Sequence, residues 1–246
     1  MKVEGSVAFV TGANRGLGEQ FVRALFDAGA AKVYAGARDP ARVTVPEAEP
    51  VAVDITDHES VRAAADLAGD VTLLINNAGS TTRAHVLTTE LDSFRTEFET
   101  HVLGTLAMSR AFAPVLARNG GGALVNVLSV LSWVSIVPSA GYAAAKSAEW
   151  SVTNALRLAL ADQGTQVTAL HVSYLATDMA AAVPGPKADP AVVARATLEG
   201  VDAGQDEVVA DDVSRRVRGV LSQGTEALYP QLRGGPSLLD PTAPGA

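Results

Sequence analysis

Tyr142 and Lys146 stand four residues apart in a stretch with strong helical periodicity, so their side chains share one helix face. A free phenol has a pKa of about 10 and is a poor base at neutral pH. An ammonium within ~4–6 Å favours the phenolate and lowers that value. Each unit of lowering needs about 1.4 kcal/mol of differential stabilisation, and a desolvated pair is expected to reach about two to three units. That would place Tyr142 in the working range of general acid–base catalysis. Ser129 lies thirteen residues before Tyr142, a gap that suits a hydroxyl polarising a carbonyl beside the tyrosine. Ser132 and Ser135, in the loop that follows, are the competing hydroxyls. The bland readings are an amphipathic packing pair and a strand-end serine that bonds a turn.

A second chemical feature lies near the amino terminus. The apolar run 7–11 feeds Gly12-Ala13-Asn14-Arg15-Gly16-Leu17-Gly18 and then a helix-like stretch. A strand turning tightly into a helix start presents unpaired N–H groups and the positive dipole end to a pyrophosphate. Glycine is needed where the backbone turns sharply or approaches a ligand without a Cβ in the way. The spacing G-x-x-x-G-x-G differs from the common dinucleotide fingerprint, and an ordinary strand-to-helix turn could use the same glycines.

These groups need a scaffold, and the pattern supplies one. Strands are expected at 6–11, 32–37, 50–54, 71–76, 123–129 and 165–172, with helices at 17–28, 58–68, 91–117 and 142–163. Apolar strands with little polar alternation, separated by helices, describe a parallel sheet covered on both faces. The fold class is therefore α/β, a single doubly wound domain over 1–229. Helices at 190–203 and 211–223 and a short strand at 207–210 follow. Pro and Gly accumulate from Pro230, so 230–246 reads as a flexible tail.

Composition excludes several classes. Nineteen basic and 27 acidic residues leave a net charge of −8 without a basic run, which argues against nucleic acid. The absence of cysteine removes disulfide scaffolds and thiolate metal sites, and no metal site is expected. No segment reaches the ~18–20 apolar residues of a membrane helix. Met1-Lys2-Val3-Glu4-Gly5 runs straight into a strand pattern without signal-peptide architecture, so a cytoplasmic setting is expected.

Thr11-Gly12-Ala-Asn-Arg-Gly16-Leu-Gly18, Asn76-Asn77-Ala78-Gly79 and Tyr142-Ala-Ala-Ala-Lys146 occur in that order with fitting gaps. Over roughly residues 5–180 the chain resembles the short-chain dehydrogenase/reductase family, in its compact subclass. The resemblance implies a Rossmann-type domain with about 180–225 as substrate cap, a nicotinamide dinucleotide and hydride transfer to or from an alcohol/carbonyl pair, with Ser129, Tyr142 and Lys146 catalytic. It assigns Gly12, Asn14, Arg15, Gly16, Leu17 and Gly18 to the phosphates. Asp54 and Ile55 go to the adenine, Asn77, Ala78 and Gly79 to the cofactor wall, and Thr177 to the nicotinamide amide. Lys146 would also bind the nicotinamide ribose. Where NAD-preferring members carry Asp this chain has Ala37, followed by Arg38. Arg38 and Arg15 suit a 2′-phosphate, so NADP(H) is expected over NAD(H); the alternative is two solvated arginines, Arg38 pairing with Asp39.

Three departures from the family stand out. His101 replaces the usual Asn of the proton relay; it could bridge the same water, perturb the relay, or be a packed helix residue. Pro-Gly is absent after the sixth strand, where Ser173-Tyr174-Leu175 stands. The usual C-terminal ending is missing, which bears on the expected homodimer or homotetramer. Val130, Leu131, Trp133, Ile136 and Pro138 from one loop, with Tyr174, Leu175 and Met179 from another, are expected to contact substrate. Being mainly apolar, they favour a neutral ketone or secondary alcohol. The rival reading is a non-catalytic NADP(H)-binding sensor on the same fold.

Overall fold

Short runs of Val, Leu, Ile and Ala form the strands. They are β1 (Val7–Thr11), β2 (Lys32–Ala37), β3 (Glu49–Ala52), β4 (Leu73–Asn76), β5 (Gly122–Val127), β6 (Thr165–His171) and β7 (Glu207–Val209). The computed structural model describes residues 1–240. All pairings are parallel, in the order β3-β2-β1-β4-β5-β6-β7. The helices are α1 (Gly16–Asp27), α2 (His58–Leu67), α3 (Leu91–Phe98), α4 (Thr105–Arg118), α5 (Ala140–Ala159), α6 (Pro190–Asp202), α7 (Asp212–Val220) and α8 (Thr225–Leu228). This is a Rossmann-type sheet covered on both faces.

The two faces follow from strand periodicity. Val10, Ile75 and Val125 point one way and pack on Phe21 and Leu25 of α1 and Val193 and Leu198 of α6. Phe9, Leu74 and Leu124 point the other way, onto Val61 of α2, Met108 and Phe112 of α4 and Leu156 of α5. On this second side a polar chain runs beneath the strand ends. Asn76 Nδ2 donates to Ser109 Oγ at 3.1 Å and to Asn126 Oδ1 at 2.9 Å, and Asn126 Nδ2 donates to Thr153 Oγ1 at 2.9 Å. Buried amides are acceptable only when paired in this way.

Several boundaries differ from the sequence reading. The helix expected over 91–117 is broken at Glu99–Gly104 by a π-type turn between α3 and α4. Such turns insert an extra residue and re-aim the side chains around them. A Cβ at Gly104 would press against Ile55, so the glycine permits this close approach to the strand edge. The fifth strand ends at Val127, and Ser129 heads a 3-10 turn at Val130–Ser132.

Residues 230–233 form another 3-10 turn, and Leu238 and Leu239 lie against a cluster of Val130, Leu131, Trp133 and Val217. Apolar side chains there outweigh the lack of periodicity; 241–246 lie outside the described residues. Among the described residues no helix is long and apolar enough to cross a membrane, and no acidic/His cluster could hold a metal ion.

An ionic cluster ties β7 to the sheet. His171 at the end of β6 is fully buried, stacked on Trp133 with centroids 3.9 Å apart, and its Nε2 lies 3.7 Å from Glu207 Oε1. Arg218 of α7 reaches Glu207 at 2.9 Å. The adjacent His171 ring and the Arg218 guanidinium hold the Glu207 carboxyl at about 2, below its ordinary 4.5. A depressed carboxyl pKa contributes stability that is full above the unfolded value and is lost as pH falls towards the folded one. Glu207→Gln is therefore expected to be less stable than the wild type at neutral pH, the gap closing between about pH 4.5 and about pH 2. Urea midpoints across that range check this; a gap independent of pH would contradict it.

Candidate functional site

A cleft of about 1020 Å³ opens beyond the carboxyl ends of β1, β2 and β4, where the strand order reverses. Sheets of this kind bind ligands at that point. Gly12, Asn14, Arg15, Gly16, Leu17 and Gly18 line it, as do Asn77, Ala78, Gly79 and Thr177. Gly12 has φ +66°, and a Cβ on Gly18 would collide with the Gly12 carbonyl oxygen, so both must be glycine for the turn to close. No side chain caps α1, whereas Asp57, Asp189 and Asp211 cap α2, α6 and α7. The first N–H groups of α1 are left for an anion.

Thr11 and Asn77 set the width of the cleft. The Thr11 hydroxyl accepts from the backbone N–H groups of Asn77 and Ala78, both at 2.9 Å, and Asn77 Nδ2 donates to the Thr11 carbonyl at 2.9 Å. These bonds lock the glycine turn to the end of β4.

Ala37 ends β2 at the far side of the cleft, beside Arg38 and Arg42. Asp39 does not tie down Arg38; its carboxylate accepts from Ala41 N–H at 3.2 Å and caps the turn at Pro40–Arg42. Asp54 and Ile55 lie on the same wall. The N–H and hydroxyl of Thr56 bond Asp54 Oδ1 and hold its pKa low, helped by Arg38. Arg15 crosses the mouth to Asp178 at 3.3 Å. Both partners are largely exposed, so this pair is worth only about 0–1 kcal/mol and a phosphate can displace it.

Tyr142, Lys146 and Ser129 come together at the end of β5. Lys146 Nζ is 5.8 Å from the Tyr142 ring centroid, and the Ser129 side chain faces the Tyr142 hydroxyl. Ser129 Oγ also accepts from Leu131 N–H at 3.1 Å, which fixes its rotamer. Ser132 is turned away, donating to the Ser129 carbonyl, and Ser135 is exposed. Lys146 Nζ is buried, donating to the Val127 carbonyl at 2.8 Å and to Glu149 Oε2 at 2.6 Å.

His101 lies edge-on to Tyr142, ring centroids 5.0 Å apart, with Nε2 donating to the Ser80 carbonyl at 2.8 Å. Behind it is Glu97, fully buried, Oε2 at 3.4 Å from His101 Nε2, Oε1 taking the Thr82 N–H and hydroxyl. Burial pushes the Glu97 pKa up, but the adjacent His101 ring and the Thr82 donors outweigh it and the net direction is down.

One chemical expectation is corrected. The Tyr142 pKa is raised: burial acts first, and Glu149 and Glu97 add to it against Lys146 and Ser129. Lys146 is also raised, because Glu149 and Tyr142 overcome its desolvation. The lowering expected from an isolated Tyr–Lys pair omitted both carboxylates. Glu149 was readable as i+3 from Lys146 and Glu97 as i−4 from His101, but acidic residues on amphipathic helices usually face water.

The expected substrate contacts divide. Val130, Leu131 and Trp133 are buried in the cluster under Val217 and the C-terminal segment, off the wall of the cleft, which corrects that part of the reading. Their apolar side chains gain more from that cover than from an open loop. Ile136 is half-buried beside the same cluster, and Pro138 is exposed. Tyr174 and Leu175 are half-buried, and Met179 is exposed on the cleft. Arg42 on the wall of the cleft was not foreseen, as nothing in its spacing marks it.

The arrangement combines an anion-binding glycine turn, arginines lining the same cleft, and a phenol–ammonium–hydroxyl group at the end of β5. Comparison with known proteins agrees with that description. The family model for short chain dehydrogenases matches residues 6–187. The dehydrogenase/reductase SDR family member 7B of Xenopus laevis is 29% identical over 235 residues, covering 87% of this chain and 72% of that protein. A short chain dehydrogenase from Burkholderia cenocepacia, solved in complex with NADP, is 39% identical with a TM-score of 0.90, covering 96% of this chain and 100% of that one. A 3-ketoacyl-(acyl-carrier-protein) reductase from Brucella melitensis, complexed with NADH, is 29% identical with a TM-score of 0.77, covering 84% and 96%.

Proposed function

The chain belongs to the short chain dehydrogenase family of oxidoreductases, and from that premise we propose that it reduces a carbonyl group with NADPH, Tyr142 giving the proton. The observation that carries the reading is the meeting of Tyr142, Lys146 and Ser129 at the end of β5. When bound, the reduced nicotinamide supplies a hydride to the carbonyl carbon. Tyr142 Oη donates its proton to the carbonyl oxygen, and the Ser129 hydroxyl bonds that oxygen as charge develops. Lys146, with one N–H beyond those given to Val127 and Glu149, holds the ribose and orients the tyrosine.

The cleft suits this cofactor. Its glycine turn admits a pyrophosphate, and Asp54 Oδ2 is turned away from Thr56, available to an adenine amino group. NADP(H) is favoured over NAD(H) because Ala37 offers no carboxylate to a ribose diol, while Arg15, Arg38 and Arg42 lie within the same cleft. Forked guanidinium donors suit a phosphate dianion. The NADP complex of the Burkholderia cenocepacia protein supports the preference, although the Brucella melitensis enzyme was solved with NADH. The substrate is read as a ketone entering past Tyr174 and Met179, on the side facing Tyr142.

Tyr142→Phe is expected to lower turnover of a reducible ketone by about 10²–10⁴-fold while the protein still binds NADPH, as read by melting shifts. Near-normal turnover would remove Tyr142 from the reaction. Ala37→Asp with Arg38→Leu should move the kcat/KM ratio for the two cofactors towards NADH by at least about tenfold, equivalent to ~1.4 kcal/mol. An unchanged ratio would show that these positions do not read the 2′-phosphate.

A further inference from the structure

Hydride transfer leaves one cation at the substrate entrance without a task. Arg83, in the loop that follows β4, has φ +53° and is the single non-glycine residue with left-handed backbone among the described residues. A residue that carries a Cβ is rarely held there, and such outliers collect at ligand contacts. Its neighbours show what imposes the conformation. The fully buried Glu97 accepts from both the N–H and the hydroxyl of Thr82, and the Arg83 N–H goes to the Thr81 hydroxyl at 3.3 Å. On the other side Ala84 is fully buried, its carbonyl accepting from the Ala140 N–H at 3.0 Å. Ala140 begins α5, two residues before Tyr142. With both neighbours fixed, the backbone at Arg83 is held left-handed and its side chain is exposed.

The guanidinium reaches over to the loop after β6, donating to the Met179 carbonyl at 3.4 Å. That is long for a hydrogen bond and readily exchanged for a better acceptor. Among the described residues no carboxylate pairs with Arg83, whereas Arg15, Arg95, Arg157 and Arg218 each have one. Tyr174, on the same loop as Met179, is within reach of the Arg83 charge. Burial raises the pKa of that phenol and keeps it a donor, the pull of Arg83 being the smaller effect. A guanidinium and a phenol therefore stand on the two loops between which substrate enters. The expectation of a neutral substrate leaned on Val130, Leu131 and Trp133, which are buried elsewhere.

We propose that Arg83 binds a carboxylate on the substrate, so that the ketone this site prefers is an oxo acid. The proposal rests on the reading of the protein as a carbonyl reductase. A planar guanidinium meets a carboxylate with two parallel N–H···O bonds, and one cation balances one negative charge. A phosphate dianion is served differently here, by Arg15, Arg38 and Arg42 in the cofactor cleft. The carboxylate takes no part in the reaction. It anchors the far end of the molecule and so holds the carbonyl against Tyr142 and Ser129. Neutral ketones of the same skeleton are still reduced, with weaker binding.

Two measurements on the full-length protein test this. The first takes initial rates, with saturating NADPH, for oxo acids of increasing spacing between ketone and carboxylate, each beside its methyl ester. For the best acid kcat/KM should exceed that of its ester by about tenfold, the size of a charge-assisted hydrogen bond, with the gap mainly in KM. Arg83→Asn removes the cation and keeps a residue that tolerates left-handed backbone. It should lower the acid-to-ester ratio by about tenfold, and the ratio divides out any general loss of folded enzyme. A wild type that favours no acid over its ester, or a ratio unmoved by the substitution, would overturn the proposal.

The second follows, by calorimetry, the binding of saturated carboxylic acids and their methyl esters to the NADPH-loaded wild type and Arg83→Asn. The acids should bind the wild type and bind the variant about tenfold more weakly. That result without turnover of any oxo acid or ester would uphold the anion site and refute carbonyl reduction instead. Turnover of ketones with acids binding no better than esters would overturn the proposal and leave the reduction standing.

Discussion

Placing the ammonium of Lys146 out of water at the end of β5 is the constraint on which the site turns. Its side chain is only 6% exposed, and a buried charge survives only with partners that satisfy its donors. The Val127 carbonyl is available because the strand ends there, and Glu149 is available because α5 presents it one turn on. Removing one partner of such a pair costs about 3–5 kcal/mol, far more than an exposed pair is worth. Below it, Thr105, Ser109, Asn76, Asn126 and Thr153 link α4, α5, β4 and β5 through side-chain hydrogen bonds. The helix that carries Tyr142 is thus referenced to the sheet by polar contacts with defined geometry.

The other end of the cleft uses the opposite device. Where Lys146 is held by two acceptors of the protein, the start of α1 is left unsatisfied by any side chain, although α2, α6 and α7 are capped by aspartates. One element is closed so that it cannot move, and the other is open so that an anion can complete it. A chain with a net charge of −8 makes an anion site by concentrating Arg15, Arg38 and Arg42 around one cleft. Local placement of a few cations, rather than overall charge, makes an anion site here.

The sheet and the glycine-lined wall of the cleft were legible in the sequence for a physical reason. Strands buried on both faces must be apolar throughout, and the turns after β1 and β4 need glycine or small residues whatever surrounds them, so Gly12, Gly18, Asn77 and Ala78 announce themselves. Glu149 and Glu97 did not, because a helical spacing gives the neighbour of a residue but not whether water lies between them. The loop after Ser129 misled for a related reason. Val130, Leu131 and Trp133 have the same character whether they meet a ligand or the underside of a covering segment. Here Val217, Leu238 and Leu239 provide that cover from far along the chain. The π-type turn at Glu99–Gly104 was invisible as well, since one extra residue in a helix leaves the apolar pattern almost unchanged.

The most direct test of the account follows one hydrogen. NADPH carrying deuterium on the reactive carbon of its nicotinamide is incubated with the protein and a panel of neutral ketones, and the products are read by mass spectrometry and NMR. The account predicts an alcohol with deuterium on the former carbonyl carbon, formed as the labelled cofactor is oxidised, and a solvent-derived proton on oxygen. Tight binding of the cofactor with its deuterium retained across the whole panel would contradict it and leave a dinucleotide-binding protein without hydride transfer.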